Sequence, residues 1–244
     1  MKCVMPGARL AAAALIGVAF VRSSPAQAPD TSRHGPVLAR TDAAIIGVAA
    51  LTSGVLLGWD GAIARHMQGS PLRDDAFVRT VMDGASTYGD PGTIVLGAGV
   101  WLSGRLAHDA TRERIGMRAV EAIVASGIVG GALKGLTGRA RPDTSGNPRD
   151  FVLGRGIGNR EAFQSFPSGH ATAAWAFASA VDAEWLRLRP SRPRWVPAAL
   201  YAAATLTAAS RVYRNRHWAS DVVMGGAIGF VSGRAVVRWH RDPP

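Results

Sequence analysis

One cysteine, Cys3, is all that the 244 residues contain. This excludes a disulfide framework within the chain and a thiolate metal cluster. Aromatic residues make up only 7%. No run interleaves them with basic residues, so the surface by which proteins grip nucleic acid is missing, and no nucleic-acid partner is expected. Short stretches of alternating apolar and polar residues are also missing, and β-branched residues do not gather into strand-length segments. No three-carboxylate or histidine-rich cluster suggests a metal site. There is no internal repeat and no low-complexity tract.

What is present is apolar and basic. Hydrophobic residues make up 48% of the chain and the net charge is +11. Such a balance points to an anionic partner, a phosphate ester or an anionic lipid, and to association with a membrane surface. Residues 1–28 read as an export signal. Lys2 and Arg9 precede an apolar run from Leu10 to Val21, and Ala26-Gln27-Ala28 is a small-x-small cleavage site. Pro29 follows it directly, which leaves the cut position open. Residues 29–41 read as a loose segment, and with no linker downstream, residues 42–240 read as one domain.

Six long apolar segments follow: Asp42 to Trp59, Thr93 to Leu106, Ala119 to Leu136, His170 to Leu186, Trp195 to Ser210 and Asp221 to Trp239. They are too long and too continuous for strands, so the expected fold is all-α, a bundle of about six main helices. Thr41 or Asp42 is the expected cap of the first. A short helix is expected from Asp74 to Asp83, and a long loop from Thr137 to Gln164. Glu121, Asp182, Glu184 and Arg234 interrupt the apolar runs, at a cost in lipid. The basic turns Arg105 to Arg118 and Arg187 to Arg194 alternate with the motif-bearing loops, as in a positive-inside pattern. Yet six spans behind a cut export signal would place those basic turns outside. The expectation is therefore an exported protein, periplasmic or envelope-associated, with an integral inner-membrane protein as the alternative.

Three short motifs carry chemistry. Lys134 and Arg141 lie seven residues apart, two helical turns, and Gly138 and Pro142 mark the end of their helix. Pro167-Ser168-Gly169-His170 opens an apolar helix, whose free first-turn N–H groups form an anion site. Ser168 is its candidate cap, and Gly169 lets the backbone approach a ligand. Ser210-Arg211, then His217 and Asp221, set a guanidinium fork near a histidine whose ring a carboxylate four residues on can hold. Together they form a cationic cage for a tetrahedral oxyanion, with two groups that titrate near neutrality. The fixed cations can neutralise phosphoryl oxygens without a metal.

In order and spacing these residues resemble the three-part signature of the type 2 phosphatidic acid phosphatase and vanadium haloperoxidase superfamily. The resemblance spans roughly Ala119 to Trp239, and no signature residue departs from it. It implies a helical-bundle core and a metal-independent, two-step phosphatase needing no cofactor. His217 would be the nucleophile, Asp221 would hold its ring, and His170 would protonate the leaving oxygen and then activate water. Lys134, Arg141, Ser168, Gly169 and Arg211 would bind the phosphoryl group. The expected substrate is a phosphoric ester or lipid pyrophosphate, met on the extracytoplasmic side. A vanadate-dependent haloperoxidase, with vanadate in the same cage, is the alternative. A non-catalytic anion or lipid binder would have lost catalytic positions, and here both histidines and the aspartate are intact. Arg139 is read as shaping the pocket or as solvated, Arg149, Arg155 and Arg160 as solvated, and Trp218 as packed in the core.

Overall fold

A computed structural model of the protein describes residues 37–158 and 160–240. The expected export signal and most of the loose segment lie outside them. The described residues form eight α-helices and no strand: α1 (Arg40–Leu57), α2 (Asp60–Gln68), α3 (Ala76–Thr87), α4 (Thr93–Leu106), α5 (Ala110–Thr137), α6 (Gly169–Leu188), α7 (Trp195–Tyr213) and α8 (Ala219–Trp239). This is the expected all-α class, and its six longest helices are the six expected. α3 stands where the short helix was expected. α2, nine residues, was not foreseen.

The starts of these helices follow from local chemistry. Asp109 caps α5, its Oδ1 accepting from the Thr111 and Arg112 N–H groups at 2.9 and 3.1 Å. α5 therefore begins nine residues before its apolar run, and its charged first turns are helical. α1 is capped by the backbone of Ala39 rather than by Thr41 or Asp42. Asp42 instead sits in the first turn and accepts from the Ala39 N–H at 2.8 Å.

α6 is the central helix, packing on α5, α7 and α8. Its buried face is small, with Ala171, Ala174, Ala176, Ala178 and Ala180 all fully buried. The facing stripe of α8 is glycine: a Cβ at Gly229 would come within 2.2 Å of the Thr172 carbonyl oxygen. Small residues on both sides let the two backbones touch, as in helix pairs within membranes. α1 and α8 run antiparallel. Arg238 pairs with Asp42 at one end, and Ser53 donates to the Ser220 carbonyl at 3.0 Å near the other. α2, α3 and the long loop gather at this second end.

α1, α5 and α8 are long and apolar enough to cross a membrane. α1 buries only Asp42, Ala49 and Ser53. Leu51 on α1 is 75% exposed and Ile128 on α5 69% exposed. Apolar faces of this extent need lipid or a partner to cover them. The charges that spoke against lipid have partners. Glu121 accepts from Arg118 at 2.6 Å. Glu184 takes both Arg187 nitrogens, at 2.9 and 2.6 Å. Asp182 pairs with Arg192 and accepts from the Tyr201 hydroxyl. The Arg234 guanidinium lies 5.4 Å from the Phe230 ring centroid. The chain is a membrane protein, which overturns the soluble expectation in favour of its integral alternative. The soluble reading weighed each charge alone, whereas each has a partner, on the same helix for Glu121, Glu184 and Arg234 and beyond it for Asp182.

Candidate active site

The fold brings the three motifs together at the end that holds the long loop. Lys134 stands in the last turn of α5. Gly138 ends that helix in the left-handed region at φ 52, where a Cβ would also strike the Val152 carbonyl at 2.1 Å. The chain then runs under the loop, with the Ala140 N–H donating to the Asp150 carbonyl at 3.0 Å and that of Arg141 to Ala162 at 2.9 Å. Arg141 thus projects from the loop, not from the helix face that Lys134 occupies. Ser168 precedes α6, and its N–H donates to the Asp221 carbonyl at 3.0 Å, which ties the second motif to the third. Arg211 stands in the last turn of α7. The turn 214–218 folds back on it, the Arg216 and His217 N–H groups both donating to its carbonyl.

The cations are only partly satisfied by protein. Lys134 Nζ donates to the Gln164 carbonyl at 2.6 Å, and Arg211 Nη1 to Ser86 Oγ at 2.6 Å. Arg141 Nη1 meets Glu161 Oε1 at 2.9 Å. Arg141 Nε, Arg211 Nε and Ser168 Oγ are buried and find no protein partner. Buried polar atoms in native proteins are nearly always paired. Arg118 Nε and Arg192 Nε lack partners elsewhere, but here three such atoms gather around one site and are open to a ligand. Ser168 Oγ makes no cap bond to its own helix. Gly169 opens α6, where helix geometry leaves N–H groups without intrahelical partners. Space does not demand a glycine there, since a Cβ would meet Lys134 Cε at an ordinary 3.6 Å. His170, the next residue, lies within electrostatic reach of Arg211, His217, Lys134 and Arg141.

His217 is 3% exposed and precedes α8 rather than lying on it. Its Nδ1 is 2.7 Å from the Ser165 carbonyl oxygen and 3.7 Å from Asp221 Oδ2. A carbonyl only accepts, so Nδ1 carries the proton and Nε2 keeps its lone pair. The Asp221 carboxylate acts one step back. Its Oδ2 accepts from Ser165 Oγ at 2.6 Å and from the Trp218 N–H at 2.9 Å, and its Oδ1 from Arg139 Nη1 at 2.5 Å. Asp221 therefore fixes Ser165, and Ser165 fixes the ring. Burial pushes the imidazole down to about 3, with Lys134 and Arg141 adding to the effect and Asp221 opposing it. Nε2 is thereby kept free of a proton.

Several participants carried no signal in the sequence. Ser165 acts through its carbonyl, which any residue would supply. Ser86 and Asp60 come from the first hundred residues, where no motif stood out. Glu161 bridges Arg141 and Arg216, at 2.9 and 2.6 Å, from an exposed position at the rim. Arg139 is not solvated: it is 1% exposed. Arg155 is structural, stacked 4.1 Å over Phe163 and paired with Asp150. Trp218 is buried, as expected, its Nε1 donating to the Ala140 carbonyl at 2.9 Å. Among the described residues no group of three or more His, Cys, Asp or Glu is placed to hold a metal ion.

Residues 115–243, just over half of the chain, match the model of the PAP2 superfamily. A lipid A 1-phosphatase of Porphyromonas gingivalis is 39% identical over 87 residues, 36% of this chain and 19% of that protein. Lipid A 1-phosphatases of Rhizobium johnstonii and Rhizobium etli are each 36% identical, over 44% and 47% of this chain and 40% and 46% of theirs. The chain thus spans less than half the length of the curated relatives it matches. Among solved structures, a transmembrane PAP2-type phosphatidylglycerolphosphate phosphatase of Bacillus subtilis superposes with a TM-score of 0.60. The match covers 81% of this chain and 94% of that one, at 19% identity.

Proposed function

Since the chain belongs to the PAP2 superfamily, we propose that it is a metal-independent phosphatase that removes a phosphoryl group from a membrane lipid through a phosphohistidine on His217. The observation that carries this reading is the set of buried, unpartnered donors on Arg141, Ser168 and Arg211 beside two histidines. His217 Nε2 attacks phosphorus while the bond to the leaving oxygen breaks. His170, which burial and the cations keep neutral until a phosphoryl dianion offsets them, takes up a proton with the substrate and gives it to that oxygen. Water then attacks the phosphohistidine, His170 takes the water proton, the P–N bond breaks and phosphate leaves. Lys134, Arg141 and Arg211 hold the equatorial oxygens, where charge builds up.

A lipid substrate is supported by the apolar exterior and by a groove of ≈ 780 Å³ between α1 and α7 over α8. Its walls are almost wholly apolar, among them Ile45, Val48, Val223 and Phe230. Lipid A phosphate and phosphatidylglycerol phosphate are the first substrates to try. In detergent micelles with chelator, the purified protein releases phosphate from such lipids faster than from a soluble aryl phosphate. Hydrolysis of soluble esters alone overturns the lipid reading, and loss of all activity in chelator overturns metal independence. Halide oxidation that appears only with vanadate and peroxide, without hydrolysis, replaces the reading with the haloperoxidase one.

We propose the extracytoplasmic face for the site, on the two short basic turns at the opposite end, at Arg105, Arg112 and Arg114 and at Arg187, Arg189, Arg192 and Arg194. The long loop and motifs of the site end carry as many basic residues, so the turns favour this side and labelling decides it. An outward site places residue 40 on the cytoplasmic side, which a cut export signal would not give, so the two expectations compete. Labelling of Ser145→Cys and Ser191→Cys in intact cells decides between them. An impermeant maleimide reaches only residue 145 if the site faces outward, and only residue 191 if it faces inward.

A further inference from the structure

Arg139 and Arg141 stand two residues apart and are used in opposite ways. All five Arg139 donors are taken by protein. Nη1 donates to Asp221 Oδ1 at 2.5 Å and to Ser220 Oγ at 2.7 Å. Nη2 donates to Asp60 Oδ2 at 2.8 Å and to the Pro148 carbonyl at 2.6 Å, and Nε to the same carbonyl at 3.1 Å. The guanidinium is packed among the rings of Phe151 and Trp218, with centroids at 4.8 and 5.5 Å. Nothing is left over for a phosphate. Asp60, the first residue of α2, is 1% exposed and also accepts from the Ser220 N–H at 3.0 Å and Ser220 Oγ at 2.5 Å. It lies outside the segment that matches the family model.

One guanidinium between two buried carboxylates leaves a net negative charge. Asp221 alone would neutralise Arg139, so the second carboxylate has an electrostatic consequence. By engaging Nη2, Asp60 draws the guanidinium charge away from Asp221. The Asp221 carboxylate is then left less compensated, and its Oδ2 faces the His217 ring. We infer that Asp60 is a positioning residue of the reaction: through Arg139 it sets the orientation and the residual charge of Asp221, and so the basicity of His217. The inference rests on the phosphohistidine reading and reaches it through Asp60, in the part of the chain that carries no signature.

The test uses the full chain in micelles and compares Asp60→Asn with wild type. Substrate binding is untouched by Asp60, so kcat falls about tenfold to a hundredfold, as when outer partners of catalytic groups are lost, while KM is unchanged. The pH profile gives the readout that a merely structural role would not move. His217 is faced by Lys134 from α5, Arg141 from the loop, His170 from α6 and Asp221 from α8. With Asp60 neutral, Arg139 compensates Asp221 more fully, the imidazole becomes less basic, and the acid limb moves to lower pH. Arg139→Lys, whose single ammonium cannot bridge both carboxylates, lowers kcat in the same way. Combined with Asp60→Asn it costs less than the product of the two single losses. Wild-type kcat and profile in Asp60→Asn overturn the inference, as does a kcat loss with an unmoved acid limb. The His217 titration, read by NMR of histidine-labelled protein as the signal missing in His217→Gln, needs no turnover. If wild type hydrolyses nothing, the phosphatase reading falls, and the shift of that titration in Asp60→Asn still decides the role of Asp60.

Discussion

The two ends of the bundle are both rich in arginine and use it differently. At the far end Arg105, Arg112, Arg118, Arg187, Arg192 and Arg238 each face a carboxylate: Glu113, Asp109, Glu121, Glu184, Asp182 and Asp42. At the site end Lys134 and Arg211 hydrogen-bond only to neutral oxygens, of Gln164 and Ser86, and the carboxylate that Arg141 meets, Glu161, is exposed at the rim. Arginine count is thus no guide to an anion site. What distinguishes this one is that Lys134 and Arg211 have no hydrogen-bonded carboxylate, and an unneutralised charge in a dry site calls for a counter-charge from a ligand.

Substitutions at the two ends should separate activity from stability. If Arg211 is a phosphoryl donor, as proposed, Arg211→Ala should drop kcat by about 10²- to 10³-fold, the loss typical of one preorganised donor to a developing oxyanion. Phosphate release assays check this, with thermal unfolding unchanged. At the far end, Arg187→Met strands Glu184, which is fully buried. The expected cost is about 3 kcal/mol. The melting temperature should fall by roughly 6–12 °C, while kcat per folded molecule stays the same. If Arg187→Met cuts turnover and Arg211→Ala only stability, the contrast between the ends is wrong.

The acid response sharpens the contrast further. His217 is held down to about 3 in the fold, against an ordinary value of ~6.5. Between those values the unfolded chain binds a proton that the folded one refuses. The His217 contribution is therefore full above pH ~6.5 and is lost as pH falls toward 3, by up to ~1.4 kcal/mol per unit. Chemical denaturation between pH 7 and 4 checks this, and His217→Gln should lessen the slope by about that amount, the remainder belonging to other groups such as His170. The smallest effect is expected at the rim. Glu161 is exposed, and Arg141, followed by Arg216, holds its carboxyl below the usual range. As a competing anion on Arg141, its replacement in Glu161→Gln should tighten inhibition by inorganic phosphate a few-fold, with kcat little changed.

Much of this was legible from residue patterns, and the remainder for identifiable reasons was not. The six long helices follow from apolar runs that continue too far for strands. The cage follows from Lys134, Arg141, Ser168, Arg211 and the two histidines standing at fixed spacings. α2 was missed because its nine residues are polar on balance, with Gly61 in the first turn, and form no long apolar run. The membrane setting was misjudged because Asp182 and Glu121 look costly until Arg192 and Arg118 stand beside them. The His217 geometry was beyond reach, because the ring is held by a backbone carbonyl, at Ser165. Asp60 was invisible because its partner lies 79 positions away.

The central claim is that phosphorus passes through His217. The direct measurement is a rapid-quench reaction with a lipid carrying radiolabelled phosphate, followed by peptide mapping. The account predicts an acid-labile, base-stable phosphoryl adduct on the peptide containing His217. The adduct accumulates in chelator and is absent in His217→Ala, whose turnover falls about 10³-fold or more. Turnover without any covalent phosphoprotein, or an adduct on another residue, would contradict it.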